Sequence, residues 1–242
     1  MNQKENINPI KPQNNMKTKF FHLIVLDESG SMSGIVEQTI SGCNETINCI
    51  KDAQQGHEEE QEHYVSIYAF QSGGKTPSRY LVKNMPAAEV RHVTREDYMP
   101  YGYTPLYDAI GLTLTNLKAR AAGEERAVGA VTIITDGMEN SSKEYTHREV
   151  EALIELRKEM GWSINFIGAN IDVEQVSHDL GIDSCLAFES SASGTREMFA
   201  HESASRMDFI QCCADLSDED FKSPILREVA RDYFKKGDKD AD

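Results

Sequence analysis

Three groups of oxygen-bearing side chains in this sequence have the types and spacing to act together. The first is Asp27, Ser29 and Ser31 in LDESGSMSG, where an acid and two hydroxyls occupy every second position. A turn uses one Asp or Ser and a helix start uses one capping residue, so a regular series calls for another cause. The second group is Thr104, alone in YGYTPLYDA, and the third is Asp136 in ITDGMEN. Together they offer two carboxylates and three hydroxyls without Cys or His, the donor set of a hard cation such as Mg²⁺. Mg²⁺ takes about six ligands near 2.1 Å and tends to keep waters, so hydroxyls with water-bridged carboxylates leave a position open to a partner's carboxylate. Each residue alone is explained by local hydrogen bonding. Their joint placement is what points to a metal.

The elements that must bring these groups together alternate strand and helix. Phe20–Leu26 reads as a continuous apolar central strand ending at Asp27. A helix follows over roughly 34–55, with Ile35, Ile40, Cys43, Ile47 and Ile50 on its buried side. Tyr64–Phe70 is a second strand and Arg79–Asn84 a third. The link QSGGKTPS is too short for a crossover helix, so the third strand is expected antiparallel at an edge. Pro105 opens a helix whose stripe is Leu106, Ile110, Leu114 and Leu117, and Val128–Gly137 forms the fourth strand. A helix (146–160), a strand (162–167), a short helix (172–180), a strand (185–188) and a final helix (195–214) complete the pattern. The fold class is α/β, a doubly wound and mostly parallel sheet of about six strands with helices on both faces. Asp27 and Asp136 then end strands whose connections diverge, where such sheets bind ligands.

DxSxS at Asp27, Ser29 and Ser31, the lone Thr104 before Pro105, and the TDG of Thr135, Asp136 and Gly137 resemble the von Willebrand factor type A family with its metal-ion-dependent adhesion site. Order, strand context and spacing agree over roughly 19–214, and FIGANIDVEQVSHDLGI resembles the stand-alone bacterial members. The resemblance implies a Rossmann-like domain in which Ser29, Ser31 and sometimes Thr104 touch Mg²⁺ or Mn²⁺, while Asp27 and Asp136 act directly or through water. It implies a metal-dependent interaction module that binds an Asp or Glu of a protein partner, and no enzyme. Glu28 stands where many relatives carry a small residue. As acids are normally exposed it is expected to face solvent, the alternative being that it leans toward the ion.

The 242 residues suit one domain with tails, with a disordered arm at 1–16, the domain at 17–214, and an acidic segment at 215–242 that is partly helical and then disordered. Forty acids against 25 bases, a formal charge of −15, oppose binding to nucleic acid or an anionic membrane. The absence of a signal-like or membrane-length apolar run gives a cytoplasmic expectation. Five cysteines without a CxxC pair read as reduced thiols. HEEEQEH (57–63) and DLSDED (215–220) read as a solvated loop or helix end and as a linker or helix cap, and His22 as an ordinary strand residue. Tyr101, Tyr103 and Tyr107 fit either a contact surface or packing, and Glu139 and Asn140 either a rim or a solvated loop. A metal-dependent hydrolase or phosphotransfer enzyme using Asp27 is the alternative function. It lacks a GxSxG elbow, since GSMSG puts Met32 in the serine's place, and it lacks a GxxxxGK loop. An assembly subunit of an ATPase or chelatase-like machine is compatible with the interaction reading.

Overall fold

Residues 17–234 are described in the computed structural model, so the arm expected at 1–16 and the disordered end expected at 235–242 lie outside the described residues. Six strands, β1 (Thr18–Asp27), β2 (Gln61–Phe70), β3 (Arg79–Pro86), β4 (Ala127–Thr135), β5 (Ser163–Gly168) and β6 (Ser184–Ala187), form one sheet in the order β3-β2-β1-β4-β5-β6. Only the β2–β3 pairing is antiparallel, as the short link between them requires. Among the described residues the sheet is covered by seven helices: α1 (Val36–Gln54), α2 (Leu106–Ala121), α3 (His147–Glu159), α4 (Val173–Asp179), α5 (Ala192–Ala214), α6 (Asp218–Phe221) and α7 (Ile225–Arg231). None of these is long and apolar enough to cross a membrane.

Alternation along β1 divides the core. Phe20, Ile24 and Leu26 pack with α1, α5 and the 221–234 segment, while Phe21, Leu23 and Val25 pack with α2, α3 and α4. Both faces are therefore buried, which is why Phe20–Leu26 is apolar at every position except His22. Gly42 lets α5 approach α1 closely, since a Cβ there would stand 2.1 Å from the Phe199 ring. The helix expected over 34–55 is divided in the structure. GSMSGI (30–35) forms a 3-10 turn and α1 begins only at Val36, because two glycines and two serines make a poor α-helix start. In the 215–220 run, Ser217 caps α6 with a reciprocal bond to Asp220. Phe221, Leu226, Tyr233 and Phe234 beyond it are buried.

Two polar residues need a different account from the one their sequence context suggests. Gln61 and His63 belong to buried β2, not to a solvated loop, and the His63 ring stacks on Phe20 at 4.6 Å. His22 is fully buried in a polar chain. Arg206 Nη1 donates to His22 Nδ1 (2.9 Å), and a guanidinium has donors only, so His22 must donate from Nε2 to His63 Nδ1 (3.0 Å). His63 then donates to Gln61 Oε1 (2.9 Å). Arg206 is itself paired with Glu202 on the same helix (2.5 Å), and both bond Thr132 of β4 at 2.9 Å. Glu202 also accepts from Tyr233 (3.2 Å) and from Thr46 of α1 (3.4 Å).

Burial, followed by the charge of Arg206, holds His22 well below the ordinary histidine range, and burial pushes His63 down to about 3. The unfolded chain then binds protons between pH 6.5 and 3 that the folded one refuses, so stability falls as pH drops through this window. Between pH 6.5 and 5 one such histidine costs about 2 kcal/mol. Urea unfolding at the two pH values is expected to show a smaller loss for His63→Gln than for the wild type. Equal losses would contradict a neutral buried His63.

Candidate functional site

The connection after β1 runs to one face of the sheet through α1, and the helix before β4, α2, lies on the other, so the carboxyl ends of these neighbouring strands form the switch point. Asp27 closes β1 and is fully buried. Its Oδ1 accepts from Ser29 N (2.6 Å) and its Oδ2 from Thr135 Oγ1 (2.7 Å), which ties the end of β1 to the end of β4. Ser29 stands before the 3-10 turn without capping it, and its hydroxyl meets Ser31 Oγ at 3.1 Å. Ser31 Oγ in turn donates to Asp136 Oδ1 at 2.5 Å. Thr104 joins them from its own loop. A Cβ built on Gly137 would stand 3.4 Å from Thr104 Oγ1 and 3.9 Å from Ser31 Oγ, so the glycine leaves room beside both hydroxyls that a side chain would take up. The structure thus brings all five sequence candidates together, with Asp27, Ser29, Thr104 and Asp136 buried and Ser31 exposed.

Burial raises the Asp27 carboxyl to about 6; bonds from Thr135 and Ser29 oppose this, and the charge of Asp136 adds to it. Burial likewise raises Asp136, against the Ser31 bond. No Lys, Arg or His pairs with either carboxylate among the described residues. Nor do these residues contain a cluster of three His, Cys, Asp or Glu arranged for a metal, so any cation here depends on the hydroxyls.

Glu28 is a correction to the sequence reading. It is fully buried and faces neither solvent nor the hydroxyl cluster. Its carboxylate grips Arg79 through two bonds (2.7 and 3.1 Å) and accepts Met99 N at 2.6 Å. Arg79 also donates to Asp97 O (2.5 Å), and the Glu28 carbonyl accepts Tyr101 N (2.9 Å). The loop leading to Thr104 is therefore fastened to the residue between Asp27 and Ser29. Tyr98 adds a bond from its hydroxyl to Asp27 O (2.6 Å). An available signal was the antiparallel third strand, which brings its first residue, Arg79, beside Ala69 at this end of the sheet.

Glu139 and Asn140 are fasteners, not a rim. Asn140 Oδ1 accepts Thr104 N (2.8 Å) and Asn140 N donates back to Thr104 O (3.1 Å). Glu139 takes Tyr107 N (2.9 Å), Ser141 N (2.8 Å) and Ser142 N (2.7 Å). At Gly102, with φ of 73°, a Cβ would meet Ser72 O at 1.8 Å, and the bridge between Ser72 and Tyr103 forms at this close approach. Tyr101 and Tyr103 are exposed as a result, whereas Tyr107 is half-buried edge-on to His147.

No family model and no curated protein matches the sequence. Solved structures do match its shape. The pilus adhesin SpaC of Lactobacillus rhamnosus GG superposes with a TM-score of 0.58 at 16% identity, over 81% of this chain and 31% of that one. A von Willebrand factor type A protein of Catenulispora acidiphila gives 0.53 at 13%, over 79% and 43%. Proximal thread matrix protein 1 of the mussel byssus gives 0.52 at 13%, over 77% and 47%. The chain spans less than half the length of each of these. It has the von Willebrand factor type A fold.

Removing the Glu28 carboxylate strands a partly buried guanidinium and a backbone donor. Glu28→Ala is expected to cost ~2 to 4 kcal/mol in urea unfolding. The same change should speed amide exchange at Met99 and Tyr101 more than at the strand centres. Uniformly faster exchange would argue against a local fastening role.

Proposed function

We propose that the protein is a non-enzymatic interaction module that grips an Asp or Glu of a partner protein through Mg²⁺ or Mn²⁺. Ser29, Ser31 and Thr104 would offer hydroxyls to the ion, and Asp27 and Asp136 would meet it directly or through water. The observation that carries this reading is the room a Cβ on Gly137 would fill, edged by the hydroxyls of Ser31 and Thr104, together with the Asp27 and Asp136 carboxylates, which no basic side chain among the described residues neutralises. When bound, the ion supplies positive charge that neutral hydroxyls leave largely uncancelled, available to an incoming carboxylate.

The surroundings support contact with another protein. Met138, Tyr103 and Tyr101 are the three most exposed large apolar side chains among the described residues, at 64, 62 and 61%, and all lie on the two loops that hold Thr104 and Asp136. Aromatic and Met side chains in this position are typical of interface cores. One structure sharing the fold is by name a pilus adhesin, which accords with an adhesive role. The carboxylates of Asp27 and Glu28 are both committed to local bonds, and this favours binding over chemistry at the site.

Thermal melting with Mg²⁺ or Mn²⁺ tests the metal. A hundredfold excess over Kd is expected to add about 2.7 kcal/mol to the wild type and nothing to Asp27→Ala. Gly137→Ala is the sharper variant. Its backbone is outside the left-handed region and its methyl meets only ordinary contacts, so stability in EDTA should be unchanged within ~0.5 kcal/mol. The methyl fills the space beside Ser31 and Thr104, so the metal-dependent gain should be lost. Full retention of that gain in Gly137→Ala would place any bound ion elsewhere. Saturable hydrolysis of p-nitrophenyl phosphate that vanishes in Asp27→Ala would favour an enzyme instead.

A further inference from the structure

A cleft of about 640 Å³ opens beside the hydroxyl cluster, between the 71–78 loop, the start of α2 and residues 141–145. It is separate from the cluster but adjoins it, because Ser72 on its wall is bridged to Tyr103 and Pro105 follows Thr104. Its walls are apolar at Pro77, Pro105, Ala109 and Leu112, and Leu112 is 39% exposed despite lying on a core helix.

The cleft contains one polar group that the fold leaves unsatisfied. Gln71 is 97% buried (3% exposed), lines the cleft, and its Oε1 has no hydrogen-bond partner among the described residues. A buried acceptor without a donor costs roughly 1 to 3 kcal/mol, so its retention needs a reason. Gly74 lies against it and leaves it room, since a Cβ there would stand 2.5 Å from Oε1. The charges facing the cleft are Asp108, Glu144 and Lys143, an excess of one acid. Asp108 keeps its charge in place by accepting the backbone N–H groups of Lys143, Glu144 and Tyr145, each at 2.8 Å.

Apolar walls, one buried acceptor and a net negative rim together fit a side chain with an aliphatic stem and a cationic donor tip. We propose that this cleft is a binding site for an arginine or lysine side chain of a partner protein, whose stem lies on Pro105 and Leu112 and whose head donates to Gln71 Oε1. The assignment uses no metal and does not depend on the metal reading.

The test is a titration of the ¹⁵N-labelled full chain with N-acetyl-arginine amide, in EDTA and again in Mg²⁺. Saturable shifts are expected at Gly73, Gly74, Ala109 and Ser141 in both conditions. N-acetyl-norleucine amide, which has a stem without a donor, and N-acetyl-citrulline amide, which has a donor without charge, should each bind roughly tenfold more weakly, as expected for loss of one charge-assisted bond. Gln71→Leu replaces a buried amide with an apolar group of similar size and should weaken arginine amide binding by a similar factor. Glu144→Gln, an exposed change that leaves the fold intact, should weaken arginine but not citrulline. The absence of saturable shifts, equal binding of norleucine or citrulline, or unchanged binding in Gln71→Leu overturns the assignment. Because the EDTA arm stands alone, its failure is distinct from failure of the metal site.

Discussion

The bridge from Ser29 N and Thr135 Oγ1 to the two oxygens of Asp27 is the interaction on which the rest of this end of the molecule depends. Parallel strands present their last carboxyl-end groups to an open edge where the ladder stops. A single carboxylate that accepts from its own loop and from the neighbouring strand fixes the relative height of β1 and β4. Once those heights are fixed, Ser31 reaches Asp136 and the Gly137 turn comes to rest against Thr104. The carboxylate is costly to bury, as its raised pKa records. The fold bears that cost because the Asp27 carboxylate orients groups from two segments at once.

The opposite cost sits under α5. Arg206 and Glu202 are both essentially inaccessible, and a buried pair of this kind is rarely a source of net stability. Here it serves as a junction. Glu202 is reached from β4, α1 and the residues after α7, and Arg206 passes a hydrogen bond to β1 and onward to β2. Among the described residues the α2 side of the sheet has no comparable layer and is packed mainly by apolar side chains. One face is therefore held by directional bonds that specify a single seating of α5. The other is held by shape and hydrophobic contact.

Much of the fold was legible because strand and helix periods differ and because the 71–78 link excludes a crossover. The gathering of Asp27, Ser29, Ser31 and Asp136 was legible because oxygen-bearing types repeat at the ends of two neighbouring strands, and Thr104 because it stands at the start of the helix that leads to β4. Glu28 was not. Its sequence neighbours gave it the same standing as any surface acid, and only Arg79, 51 residues away, explains its burial. His63 failed for the reverse reason: flanking acids disguised a strand whose burial depends on Phe20 and His22 from another segment. Glu139 and Asn140 belong with these, since a loop residue that bonds a second loop looks like any solvated one until both are placed. The sequence displays periods and local chemistry, and hides pairings between distant segments.

The two margins of the sheet carry a consequence of their own. β6 has only four residues, and β3 is broken by register shifts, turns at Asn84 with φ of 44° and ends at Pro86. Lys83 on β3 is exposed. A long flat margin would invite a second chain to add a strand, the first step of fibrous aggregation. A short strand on one side and a kinked, charged one on the other give an incoming backbone little to pair with. In a crowded solution the margins of this sheet offer little for another backbone to extend.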